Sequence, residues 1–332
     1  MVRIRHGRLV VLLGLALALV AACKKDDAGG DSAGGGKGKS GNAANSADLS
    51  LLPLDSELVL GINFSQVQQS ALWKQFVEPK LMSGDAQKKF AEFKENCGFD
   101  PMTSLKSISV GLKGVGGDKP DGAVVLHGLD KAKVWACLEN EKVKAEMTKD
   151  GDEFSREGDV GLFKDKSGNQ FAMTFTNDST AVAVIGPQVT AASAKAAAAG
   201  GSALKSSPQF LEMYNKITTG DSLWFLINGK AKIFEKTAAM GVKPKAMFGS
   251  VNVTDGLTLD LRMRLETPDA ATQLANMGKS QLQQAAKMFD KVDISSEASD
   301  VKVSIVLSNQ KLQDLIKQFA GLAGAFGGMG GP

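Results

Sequence analysis

Histidine is nearly missing from this 332-residue chain, which has only His6 and His127. A single imidazole beyond the first few residues cannot build a histidine-rich metal site, and a hydrolytic triad would have to form around His127. That residue ends the apolar run Ala123-Val124-Val125-Leu126 just before Gly128, a position that suits a structural imidazole. The chain has no G-x-S-x-G elbow and no H-E-x-x-H pair. Of its three cysteines no two are spaced C-x-x-C, which excludes the usual dithiol redox motif. The glycine-rich stretch Gly111 to Gly117 lacks the Gly-Lys-Ser/Thr ending of a phosphate loop and leads into Asp118-Lys119-Pro120-Asp121-Gly122, which is turn chemistry. Asp150-Gly151-Asp152-Glu153 lacks the ligand spacing of a calcium hand and reads as a surface turn. No catalytic, cofactor-binding or metal-binding residues are therefore assigned.

What is present begins at the N-terminus. Arg3, Arg5 and Arg8 precede the apolar run Leu9 to Val20, which is shorter than the roughly 20 residues that span a bilayer and fits the apolar centre of a signal peptide. Val20-Ala21-Ala22-Cys23 follows at once and resembles the lipobox of bacterial lipoproteins. The resemblance implies cleavage after Ala22 and acylation of Cys23, so that Cys23 becomes the lipid anchor, palmitate included. An ordinary secretory signal with a chance cysteine is the alternative. Lys24 stands where enteric lipoproteins retained at the inner membrane carry aspartate, which favours the outer membrane. The leader also takes three arginines with it, leaving 36 basic and 36 acidic side chains in the remainder. Such a balance gives no electrostatic footprint for nucleic acid.

Composition then divides the chain. Residues 1–22 read as the signal peptide, and 23–49 as the lipidated cysteine with a flexible Gly/Ser/Lys-rich tether. Such a coil reaches about 25–30 Å. Residues 323–332 read as a disordered glycine-rich tail. The body between them, about 270 residues, is near the size at which single cores split. Its pattern predicts strands over 58–64, 108–112, 122–127, 161–164, 171–176 and 180–185. Predicted helices include one in which Leu72, Trp73, Phe76 and Val77 share a face, one that stops at Gly98, and one over 129–147. A further long helix has Thr267 as N-cap and Pro268 at its first position, with Leu274, Met277, Leu282, Ala285, Met288 and Phe289 as its apolar stripe.

The pattern then starts again. Asp55 to Asn63 has a counterpart in Asp221 to Asn228, and Asp121 to Leu126 one in Asp255 to Asp260, although any α+β chain yields some matches by chance. The expected fold is α+β, in two related halves over 50–204 and 205–322, each a curved antiparallel or mixed sheet covered by helices. Leu52-Pro53 with Asp55 to Asn63, and Cys97 to Pro101, make this body similar to a group of duplicated envelope lipoproteins of Gram-negative bacteria with no assigned activity. That resemblance adds an address and no reaction.

Cys97 and Cys137 remain once Cys23 is set aside, an even pair in a compartment where disulfides form. They are expected to be bonded, two separate buried thiols being the alternative. The functional expectation is a non-enzymatic envelope lipoprotein, held to the membrane through Cys23, that binds an envelope protein or the cell wall. A periplasmic carrier or chaperone for a lipid or other apolar ligand is the alternative, since Met277, Met288 and Phe289 on one helix would suit an adaptable pocket as well as they suit a core.

Overall fold

The computed structural model describes residues 46–117, 121–201, 203–235 and 242–316. The leader, Cys23, nearly all of the tether and the glycine-rich tail lie outside these residues. Structure starts earlier than the tether boundary at 49, because Asp48 and Leu49 are buried in a short 3-10 turn, Asp48–Ser50.

Twelve strands form one continuous sheet. They are β1 (Leu58–Asn63), β2 (Ser107–Lys113), β3 (Asp121–His127), β4 (Glu153–Glu157), β5 (Val160–Lys164), β6 (Gln170–Asn177), β7 (Thr180–Gly186), β8 (Leu223–Asn228), β9 (Ala246–Asn252), β10 (Leu257–Arg264), β11 (Lys291–Glu297) and β12 (Asp300–Leu307). Their order is β11-β12-β10-β9-β8-β1-β2-β3-β7-β6-β5-β4. Every neighbouring pair is antiparallel, so the mixed alternative falls. Whether the sheets of 50–204 and 205–322 join was left open by the sequence, and the structure joins them, because β1 pairs with β8 at the centre. Leu60 faces Phe225 there, flanked by Leu58–Ile227 and Ile62–Leu223.

The apolar strands sort by alternation onto two faces. The front face carries Ile62, Ile108, Val110, Val124 and Leu126 against helices α1 (Phe64–Gln69), α2 (Gly84–Cys97) and α3 (Lys131–Glu139). A fourth helix, α4 (Glu141–Asp150), follows directly. The expected single helix over 129–147 is thus two, broken at Asn140. That residue has an extended backbone and accepts from Lys142 N, while its Nδ2 donates to Asn96 O. The back face carries Val59, Val125, Val182, Trp224 and Phe248 against Leu49, Leu52, α5 (Ala191–Ala199) and α6 (Pro208–Tyr214). Gly61 is required here, since a Cβ on it would lie 2.1 Å from the Trp224 indole nitrogen.

Helix α7 (Pro268–Ala285) covers the front face of β11 and β12 through Ala271 and Ala275, which meet Ile294 and Val301. Thr267 caps it as expected, accepting from Ala270 N. Its predicted stripe is wrong at two positions: Met277 is 60% exposed and Met288 39%, so neither lines a pocket. Small residues turn inward instead, and a Cβ on Gly278 would lie 2.9 Å from Ile294 Cδ1. The helix expected around Leu72 to Val77 is also interrupted. α1 ends at Gln69, Ser70 Oγ accepts from Trp73 N, and a π-turn, Trp73–Val77, leaves Val77 exposed. Three strands, β4, β9 and β11, were not anticipated. A last helix occupies 309–316, and Leu312 and Leu315 on it are buried.

Candidate functional site

The back face holds two polar clusters at matching places in the sheet. The first surrounds His127, the last residue of β3. The early turn Asp48–Ser50 lays a buried carboxylate over the sheet, and Ser109 Oγ on β2 donates to Asp48 Oδ2 at 2.7 Å. His127 Nε2 lies 2.9 and 3.0 Å from the two Asp48 oxygens. A carboxylate only accepts, so Nε2–H donates, and Nδ1 lies within hydrogen-bond distance of Thr180 Oγ1, at 3.2 Å. Both ring nitrogens are engaged. The alignment Asp48–His127–Thr180 has the partner types of a hydrolytic triad; Thr180 is 7% exposed, Asp48 2% and the His127 side chain 25%.

The second cluster surrounds Arg264, the last residue of β10. Arg264 donates through Nε and Nη2 to Asp300 at 2.7 and 3.0 Å, and through its guanidinium to Glu212 on α6. Lys216 Nζ completes it, 2.9 Å from Asp300 Oδ2 and 3.1 Å from Glu212 Oε1. Burial pushes the Asp300 carboxyl up, but hydrogen bonds and charge from Arg264 and Lys216 outweigh it and hold the group below the usual carboxylate range. The Arg264 hydrogen bond likewise lowers Glu212, against the effect of its partial burial. Burial lowers Lys216, and its bonds to Asp300 and Glu212 more than reverse that. The four charges balance and are spent on one another, a stitch holding α6 to β10 and β12.

No protein-family model, curated protein or solved structure matches this chain. What it does must therefore be argued from its own geometry.

The front face offers an apolar cavity of about 50 Å³ between the sheet and helices α2 and α3. Its wall includes Phe93, Phe99, Leu126, Leu138, Phe171 and Met173, and every lining residue is apolar. Phe163 and Phe171 stack at 4.2 Å to form one flat side. An engineered apolar cavity of about 150 Å³ stays dry and takes up a benzene ring. A hole one third that size accepts only a few carbon atoms unless the helices over it move.

Cys137 on α3 lines this cavity and Cys97 on α2 lies beside it, both buried, with sulfur atoms 1.98 Å apart and Cα atoms 4.3 Å apart. The pair stands at disulfide distance and ties the two covering helices together. Among the described residues, no group of three or more His, Cys, Asp or Glu side chains is placed to hold a metal, and no helix is long and apolar enough to cross a membrane. The glycine-rich stretch ends β2 and then turns, Gly117 N donating to Gly114 O at 2.9 Å. At the 150–153 turn, Gly151 supplies a left-handed end to α4 and Glu153 begins β4.

Sequence reasoning missed Asp48, assigned to the tether, and the whole Arg264 cluster. A signal for the latter was present in Leu259-Asp260-Leu261-Arg262-Met263-Arg264, where charged residues alternate with apolar ones on a strand whose back face is polar.

Proposed function

We propose that this chain is a membrane-anchored lipoprotein of the cell envelope, held through acyl chains on Cys23 and acting without catalysis as a binding or scaffold protein. The observation behind the non-enzymatic reading is the setting of His127: the one imidazole beyond the leader is bonded at both nitrogens to residues of the sheet and its cover, beside a Thr180 that is 7% exposed. The back-face charges are likewise used up in holding elements to the sheet. On this reading binding comes from extended surfaces of the sheet and its helices, carried clear of the membrane by the tether.

The duplicated body expected from sequence fits the same picture. The runs β1-β2-β3-β7-β6 and β8-β9-β10-β12-β11 follow the same neighbour order outward from the central pair, and each has helix after its third strand. In this correspondence Asp121–His127 matches 258–264, three residues further along than the sequence match to Asp255 had it. His127 then matches Arg264, Thr180 matches Asp300, and the turn bearing Asp48 matches the helix bearing Glu212.

A carrier role is the second reading, favoured by the all-apolar cavity under the cysteine pair. It ranks second because typical ligand pockets are several times larger.

Metabolic labelling with a radioactive fatty acid tests the anchor. Label should enter the full chain and vanish in Cys23→Ala, and label persisting in that variant sinks the lipoprotein assignment. Native mass spectrometry of the same preparation separates the two roles: a stoichiometric lipid adduct beyond the covalent acyl groups makes the protein a carrier, and its absence sustains the scaffold.

A further inference from the structure

The two ends of the sheet are built differently. Among the described residues β4 pairs only with β5 and β11 only with β12, so each leaves one row of backbone donors and acceptors to an approaching strand. β4 has five residues and β11 seven, with proline in neither. A second copy of the chain related by a two-fold axis would meet each edge as an antiparallel partner, its strand opposite itself.

The outcome depends on charge. For β4 the symmetric register is centred on Ser155 and sets Glu153 opposite Glu157, a like-charge pair made twice. For β11 the centre is Ile294, and Lys291 falls opposite Glu297, an opposite-charge pair made twice. Asp293 then faces Ser295, and Val292 faces Ser296. Strand alternation keeps Lys291 and Glu297 on the same back face. Glu297 already accepts from Arg262 Nη1 at 2.7 Å, so the ammonium of a second copy would extend that pair into a ladder of three charges. One edge therefore repels itself, and the other is complementary to itself.

The chain contains a junction of this kind already. β1 and β8 pair symmetrically about Leu60 and Phe225 to join the two sides of the sheet. We propose that β11 is a homodimerisation edge, pairing antiparallel with β11 of a second copy about Ile294 and making one sheet through both molecules. Helix α7 lies over β11 and β12 on the front face, where Thr272 Oγ1 reaches within 3.3 Å of Ser296 Oγ. The same axis brings the two α7 helices to the junction, so the interface is a strand pair with helix flanks. This inference goes beyond the scaffold reading and does not depend on it.

Cysteine pairing in the full chain tests the register. In Lys291→Cys/Glu297→Cys the new thiols lie about 20 Å apart within one copy, too far for an internal bond, but opposite each other between copies. The double variant should run at twice the monomer mass on a non-reducing gel and collapse on reduction, while either single variant stays monomeric. A monomeric double variant, equally strong dimers in the single variants, or a linked band of another mass would each overturn the proposal. Lys291→Glu in the full chain supplies a second readout: self-association measured by sedimentation should weaken about tenfold with the circular dichroism unchanged. Unchanged association would refute the charge pairing.

Discussion

The sides of the sheet flanking the β1–β8 junction are both antiparallel and are stabilised differently. From β1 to β7 the sheet is sandwiched, with Val110 and Val124 packed under front-face helices and Val125 and Val182 under α5 and the N-terminal turns. From β10 to β11 the front face is packed under α7, but the back face is a field of paired charges, including Asp260 with Lys302 and Arg262 with Glu297. At the matching position one side places a hydrogen-bonded trio, Asp48, His127 and Thr180, and the other a salt-bridged quartet around Arg264. Where a strand is covered on both faces, a polar group persists only with its hydrogen bonds satisfied by uncharged or singly charged partners. The quartet is no less buried at its centre, Asp300 being 1% exposed, and that carboxylate is tolerated because Arg264 and Lys216 pair with it directly.

Breaking the quartet should cost most. Asp300→Ala leaves Arg264 and Lys216 beside each other without the buried carboxylate, and should lower stability by about 3–5 kcal/mol in urea unfolding. The same quartet predicts acid sensitivity. The Asp300 pKa is lowered in the folded state, so its contribution is complete above the ordinary carboxylate value of 3.8 and fades as pH falls below it. Unfolding monitored from pH 6 to pH 2 should show that loss in the parent and lack most of it in Asp300→Ala.

On the sandwiched side the largest single effect should come from the cysteine pair. Cys97 and Cys137 are 40 residues apart, and opening a loop of that length should cost on the order of 3–4 kcal/mol. Cys97→Ser/Cys137→Ser measured against the parent under non-reducing conditions gives the value. If reductant lowers the parent and leaves the double variant unmoved, the effect belongs to the bond.

Asp48→Asn should have an intermediate effect. It keeps the shape and removes the charge that accepts from both Ser109 and His127, at a cost of about 1–3 kcal/mol. A cost equal to that of Asp300→Ala would erase the distinction between the trio and the quartet. The smallest change expected is at Met277, whose replacement by Gln should stay within about 0.5 kcal/mol because the side chain faces water. A larger loss there would restore the apolar stripe first read from the sequence.

Legibility followed burial. β3 and β7 were read correctly because strands covered on both faces are continuous apolar runs, as in Val182-Ala183-Val184-Ile185, and β2 because Ile108, Val110 and Leu112 alternate with small residues. β11 was missed because Lys291, Asp293, Ser295 and Glu297 leave only Val292 and Ile294 as apolar signal in an edge strand. β9 was missed because Gly249 and Ser250 sit in its middle. Only the assembled sheet shows the need for that glycine, since a Cβ there would lie 2.0 Å from Asp260 O. The helical stripes failed at Val77 and Met277, because periodicity gives a face and not its edges, and at Met288, because the α-helix has already ended at Ala285.

Sequence by itself determined the local matters: the caps at Thr267 and Gly98, the positions of the inner strands, the absence of a histidine-rich metal site, and the expectation of a lipid on Cys23. These depend on residues close together in the chain, whose chemistry acts over one turn or one strand. Tertiary structure alone decided that the two sides make one sheet, that Asp48 reaches His127 across 79 residues, and that Lys216 and Arg264 converge on Asp300. Strand order and long-range pairing arise from register between distant segments, and that register is fixed by which face of each strand is buried in the assembled sheet.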